Sequence, residues 1–236
     1  INNSFIAEIM SRQNYDTLTI DLQHGLIDYS DLIGMLQGIT GSNVTPIVRV
    51  PWLDPGYIMK ALDAGAQGII SPMINNKKEA EEFVSYMRYP PLGNRSFGPT
   101  RQNIVQGSDY YKTANENVLC IAMIETAEAM KNLEEIISTD GLDAVYIGPA
   151  DLTLGTTEGR LAPGMDREEE EMVDRIKTIL EAAKKAEKKA CLHCVKTSYA
   201  IQAIKWGFDL VTLNSDTRLL VSSASQSINE FRNGLK

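Results

Sequence analysis

The sequence predicts an α/β fold of the (β/α)8-barrel kind, on three observations. Short apolar runs alternate with longer amphipathic stretches along the chain, and strand–helix alternation of this sort builds a parallel sheet with helical crossovers. The runs are continuously apolar rather than alternating, as strands buried on both faces are. Polar residues gather just past the ends of the runs, where barrel enzymes keep their chemistry.

The predicted strands are 17–21 (TLTID), 45–50 (TPIVRV), 68–71 (GIIS), 118–124 (VLCIAMI), 144–147 (AVYI), 189–193 (KACLH) and 210–213 (LVTL). Helical patterns cover 30–39, 55–64, 77–88, 126–138, 167–187, 197–206 and 216–232. Asp54-Pro55 and Thr197 read as helix starts, Gly65 and Gly207 as stops. The opening INNSFIAEIM reads as a loop and then a helix capped by Asn3 or Ser4. These runs number seven, and a closed barrel needs eight strands. The expectation is one domain over 1–236 whose natural chain is longer at its N-terminus and carries the first barrel strand there. A seven-stranded open sheet is the alternative.

Hydrophobic residues make up 43% and charged residues 23%, with a net charge of −8. That balance argues against nucleic acid or an anionic membrane as the main partner. No apolar run approaches the roughly 20 residues of a membrane span, and no signal peptide is visible. The three cysteines lack framework spacing, so reduced thiols and a cytoplasmic location are expected.

The strand ends carry the candidate site. Run 17–21 ends in Asp21, with His24, one of only two histidines, just beyond. Arg49 ends the apolar part of VRVP, Asn75 follows SPM, Glu125 follows MI, and Asp151 closes IGPAD. An acid placed directly after a buried strand is costly unless paired, so Glu125 and Asp151 are the metal candidates. All-oxygen ligands suit Mg²⁺ or Mn²⁺, with Co²⁺ a further candidate. Pairing of one of them with Arg49 is the structural alternative. Arg49 offers a planar fork for a carboxylate or phosphate. His24 suits a general base, with Asp21 setting its tautomer; a merely structural histidine is the alternative. Cys191-Leu192-His193-Cys194 resembles half a zinc site without a second half, and strand alternation points its cysteines to opposite faces, so it reads as core packing. The long Gly/Pro-rich loop 89–101, with Arg95 and Arg101, is a candidate lid or substrate wall.

These residues resemble the metal-dependent pyruvate aldolases of the HpcH/HpaI type, within the phosphoenolpyruvate/pyruvate superfamily. The matching stretches are DLQHG (21–25), VRVP (48–51), LDAGAQGIISPM (62–73), RYPPLGNRSFGPTR (88–101), MIETAEAM (123–130) and GLDAVYIGPADLTLG (141–155). The resemblance implies reversible cleavage of a 4-hydroxy-2-oxo acid to pyruvate and an aldehyde. It implies a divalent metal on Glu125 and Asp151, Arg49 on the enolate oxygen, and His24 with Asp21 as acid/base. Backbone N–H groups of the segment Gly148, Pro149, Ala150 and Asp151 would hold the keto acid's carboxylate, and Asp63 would support the site of a neighbouring subunit. A homohexamer, a trimer of dimers exchanging the helix at 216–232, is also implied. Two residues depart from the pattern: Gln23 stands where better-known members have Glu, and Met123 where some have Gln. Alternatives on the same barrel are a citramalyl- or malyl-thioester lyase or other phosphoenolpyruvate/pyruvate-superfamily enzyme on the same metal site, a Schiff-base aldolase using Lys196, and a keto-acid-binding barrel without activity.

Overall fold

The computed structural model of the protein describes residues 1–235. Seven parallel strands form one sheet in sequence order: β1 Thr17–Asp21, β2 Thr45–Arg49, β3 Gly68–Ser71, β4 Leu119–Ile124, β5 Ala144–Ile147, β6 Lys189–Leu192 and β7 Leu210–Val211. All seven fall on predicted runs. The eighth strand of a closed barrel is not among the described residues, and β1 and β7 do not pair with each other.

The helices are α1 Ser4–Ser11, α2 Tyr29–Ile39, α3 Pro55–Ala64, α4 Lys77–Met87, α5 Thr100–Gln106, α6 Tyr110–Asn117, α7 Ala127–Lys131, α8 Leu133–Ile137, α9 Pro149–Thr156, α10 Glu170–Lys185, α11 Thr197–Trp206 and α12 Asp216–Gly234. Local chemistry sets their ends. Asn3 caps α1 by accepting the N–H groups of Phe5 and Ile6. Asp54 accepts the N–H of Tyr57 ahead of Pro55, which needs no donor at N1. Gly65 and Gly207 take positive φ after α3 and α11.

Strand parity divides the core. Ile20, Val48, Ile69, Ala122, Val145 and Leu192 face the helices, where Leu32, Leu62, Phe83 and Ile176 complete the main core. Ile47, Ile70, Ile121, Met123, Tyr146 and Cys191 face the other way and form a second, inner cluster. The sheet is curled. In a flat sheet β2 and β6 would lie about 19 Å apart, yet the charge of Arg49 on β2 acts on His193 just past β6. The concave face is therefore a lumen, and the strand C-termini form its rim.

The connections on the opposite side explain a misplaced expectation. The segment 88–118 joins the end of α4 to the start of β4, so it lies at the N-terminal end of the sheet. The loop 89–101 is thus not a wall at this chain's own rim. Arg95 in that loop is 3% exposed; it donates to Asp63 at 2.7 Å and to the Tyr110 hydroxyl at 3.1 Å. Its guanidinium stacks on Tyr89 at 4.4 Å. The helix α12 has no buried residue. Among the described residues no helix is long and apolar enough to cross a membrane.

Candidate active site

β1 and β2 pair Asp21 directly with Arg49. That register brings their side chains together on the inner face, and the pair is bidentate: Nε donates to Oδ1 at 2.8 Å and Nη2 to Oδ2 at 2.5 Å. Asp21 Oδ1 also accepts the backbone N–H groups of Gln23 at 3.0 Å and His24 at 3.4 Å. Burial raises the Asp21 carboxyl, but Arg49 and these amides outweigh it and hold it below its ordinary value. Burial likewise works against the Arg49 charge, and Asp21 more than restores it. The sequence reading gave Asp21 to the His24 ring. The structure gives its carboxylate to Arg49 and to the His24 backbone. His24 itself is exposed on the loop after β1, with no hydrogen bond from its imidazole among the described residues.

Glu125 follows β4 and is 2% exposed. Its Oε1 accepts the Met73 N–H at 2.9 Å. Met73 reaches that carboxylate from a left-handed turn, φ 57°. Asn75 fixes the turn: it donates to the Met73 carbonyl at 2.8 Å, accepts from Thr126 at 2.5 Å, and its own carbonyl accepts from Asn132 at 2.8 Å. The other oxygen, Oε2, lies over Gly148, where any Cβ would collide with it. Burial pushes the Glu125 carboxyl up to about 7; the Met73 N–H opposes the shift and the nearby Asp151 charge adds to it. Asp151 sits in the first turn of α9 and is exposed.

Gly148 starts α9 without a side-chain cap, and Pro149 occupies the first turn. Pro149 has no N–H, so Gly148, Ala150 and Asp151 supply the donors of this segment. Their free N–H groups make the helix end attractive to an anion. Asp63 is not brought to this rim; it lies in the last turn of α3 with Arg95. Lys196 is exposed beside Glu168 at 3.8 Å, outside the lumen. A cleft of about 390 Å³ opens next to the rim between Ile27, Tyr29, Pro51 and Tyr57 and contains neither acid.

Sequence reasoning missed one inward residue. His193 follows β6, two residues past the inner Cys191, so parity turns it into the lumen. Its Nδ1 lies 3.1 Å from the Tyr146 hydroxyl. Burial, and then the Arg49 charge, pull its imidazole down to about 4, so it is neutral at physiological pH. The three cysteines are free and buried, and Cys191 and Cys194 pack into different clusters.

The curled parallel α/β sheet thus brings two acids, an arginine and a helix N-terminus to one rim. The chain belongs to the HpcH/HpaI aldolase/citrate lyase family, whose sequence model matches residues 1–223. It is similar to a hydroxypyruvate/pyruvate aldolase of Rhizorhabdus wittichii, 43% identical, with 96% of this chain and 89% of that one covered. A 2-keto-3-deoxy-L-rhamnonate aldolase of Salmonella gallinarum is 31% identical over 97% of this chain and 85% of its own. The crystal structure of an HpcH/HpaI aldolase/citrate lyase family protein from Burkholderia cenocepacia superimposes with a TM-score of 0.88 at 28% identity, covering 98% of this chain and 91% of that one. The protein is therefore an enzyme of the aldolase/lyase class.

Proposed function

We propose that this enzyme is a divalent-metal-dependent aldolase that reversibly cleaves a 4-hydroxy-2-oxo acid to pyruvate and an aldehyde. One observation carries the reading: Glu125 is a buried carboxylate with one backbone donor and no cation in contact, beside a second acid and over a glycine that leaves its free oxygen room. Two carboxylates close enough for one charge to act on the other fit a hard cation, with Mg²⁺ or Mn²⁺ first and Co²⁺ next. Glu125 and Asp151 would hold it. When bound, such an ion supplies positive charge where the keto oxygen becomes negative.

The chain's own residues do the rest. The N–H groups of Ala150 and Asp151 receive the substrate carboxylate at the α9 N-terminus. Asp21 fixes two donors of Arg49 and leaves the others free for the keto oxygen. His24 takes the proton of the 4-hydroxyl. The C3–C4 bond then breaks, C4 leaves as an aldehyde, and the electron pair spreads to the keto oxygen facing Arg49. Protonation at C3 gives pyruvate. The unpartnered α12, exposing Leu220, Val221, Ile228 and Phe231, supports assembly of the chain as a homohexamer, a trimer of dimers exchanging this helix, with Asp63 serving a neighbouring site. Three free buried thiols fit a cytoplasmic setting.

The test is pyruvate release from a racemic 4-hydroxy-2-oxo acid by metal-stripped protein, with and without Mn²⁺. Release that depends on the metal is expected. Equal release without metal, with pyruvate trapped on a lysine by borohydride, would sink the reading.

A further inference from the structure

His24 takes the 4-hydroxyl proton in the proposed reaction, yet its ring is exposed and no hydrogen bond among the described residues holds it. Its aim is therefore set by the backbone beneath it, the turn from Asp21 to Gly25. That turn is tied to the end of β1 from within. Asp21 Oδ1 accepts the N–H of Gln23 at 3.0 Å and that of His24 at 3.4 Å, and the same oxygen accepts Arg49 Nε at 2.8 Å.

The residue that closes the turn is Gly25. A β-carbon there would overlap the Asp21 carbonyl oxygen and come within 3.2 Å of Ile27 Cδ1. The φ of Gly25 lies outside the left-handed region, so space rather than dihedral angle calls for glycine here. The two obstacles differ. Ile27 Cδ1 is the tip of a side chain and can rotate away. The Asp21 carbonyl is main chain at a strand end: Asp21 pairs with Arg49 in the ladder, and the Leu22 N–H donates to the Arg49 carbonyl at 2.9 Å. The strand side of the overlap is thus held on β2. On the loop side the ties to Asp21 are two amide bonds, and that of His24 is the longer. A side chain at position 25 therefore displaces the loop side, and His24 moves with it.

We propose that Gly25 is a positioning residue: its lack of a side chain lets the turn close on the Asp21 carbonyl, and that closure aims the His24 imidazole at the 4-hydroxyl. The proposal rests on the aldolase reading above, in which His24 is the base. It also divides the work of the rim. Arg49 ends β2, Glu125 follows β4 and Asp151 lies in α9, so none of the three depends on the turn.

That division supplies the test. Oxaloacetate passes through the same enolate with no hydroxyl proton to remove: the C3–C4 bond breaks, C4 leaves as carbon dioxide, the electron pair goes to the keto oxygen, and solvent protonates C3 to give pyruvate. Aldol cleavage needs His24 and decarboxylation does not. Both are followed as pyruvate release with Mg²⁺, corrected for the rate with Mg²⁺ alone, for the wild type, Gly25→Ala, His24→Ala and Leu26→Ala. Leu26 is an exposed neighbour in the same loop, and its variant is expected to change neither reaction. In Gly25→Ala the kcat for aldol cleavage is expected to fall between about ten- and a hundredfold, the scale of a misplacement of roughly 1 Å, while KM and the decarboxylation rate stay within about twofold. Circular dichroism reports the fold. Unchanged cleavage in Gly25→Ala beside lost cleavage in His24→Ala would overturn the proposal and leave the aldolase reading standing. Equal loss of both reactions, or a Gly25→Ala protein that does not fold, would make Gly25 a residue of the fold and overturn its part in aiming His24. Cleavage that survives in His24→Ala would overturn the choice of base and the proposal with it. A wild type that releases pyruvate from neither acid would overturn the aldolase reading itself.

Discussion

The two ends of the sheet are both rich in charge and use it in opposite ways. At the N-terminal end the guanidinium groups of Arg88 and Arg101 are held by acceptors. Arg88 donates to the carbonyls of Val118 and Gly141 and to Asp143, at 2.6, 3.1 and 2.9 Å. Arg101 donates to the last carbonyls of α2 and α3, those of Leu36 and Ala64, where cations offset the helix dipole. At the rim the acids outnumber their partners. Asp21 consumes one side of Arg49, and Glu125 and Asp151 are left to repel each other. A closed network holds strand ends in place. An open one, maintained inside a protein at a cost, marks where a ligand's charge belongs.

Removing the open charge gives the largest effect. Glu125→Gln is expected to lower turnover by at least about a hundredfold and yet not to destabilise the metal-free protein at pH 8. The sign follows from the raised carboxyl: the folded state holds this proton more tightly than the unfolded one, so stability is lost as pH rises from about 4.5 through about 7. Glutamine has no such loss. Thermal melts of metal-stripped wild type and variant at pH 5 and pH 8 check this; a variant that melts lower at pH 8 contradicts the comparison.

The closed end should respond in reverse. Arg88→Met leaves the Val118 and Gly141 carbonyls without this donor and Asp143 with the Cys120 N–H alone, and should cost about 3 kcal/mol in urea unfolding, with activity per folded molecule unchanged. Loss of activity beyond the unfolded fraction would mean that the two ends are coupled. The smallest effect is expected at a surface pair that belongs to neither network. Lys185 and Glu134 meet at 3.2 Å, both about four-fifths exposed, and Lys185→Ala should change stability by less than about 0.5 kcal/mol.

All seven strands were legible because parallel strands buried on both faces leave continuous apolar runs. Three helices were not. α5 and α6 lie within and beyond a Gly/Pro-rich segment that reads as loop. α9 begins at Gly-Pro and has no amphipathic stripe, since Leu152 and Thr153 are both fully buried. The pattern at 126–138 is two helices, broken at Asn132, whose side chain is spent on Asn75. The acids and Arg49 were legible as costly charges at strand ends. The partner of Asp21 was not, because closeness in sequence favours His24 whereas ladder register favours Arg49. His193 was hidden inside a motif judged by its cysteines; counting two residues on from an inward Cys191 would have found it.

The turn at Met73 bears on how this enzyme can vary over generations. Its grip on Glu125 is a main-chain N–H, which every residue but proline carries, while the unusual dihedral is enforced from outside by Asn75, Thr126 and Asn132. Heritable change at position 73 can therefore alter bulk and polarity beside the site while the acid stays anchored. Inherited constraint falls instead on the three polar neighbours, whose side chains hold the turn rather than the carboxylate. A lineage can explore new substrates at one codon while keeping its chemistry under the guard of three others.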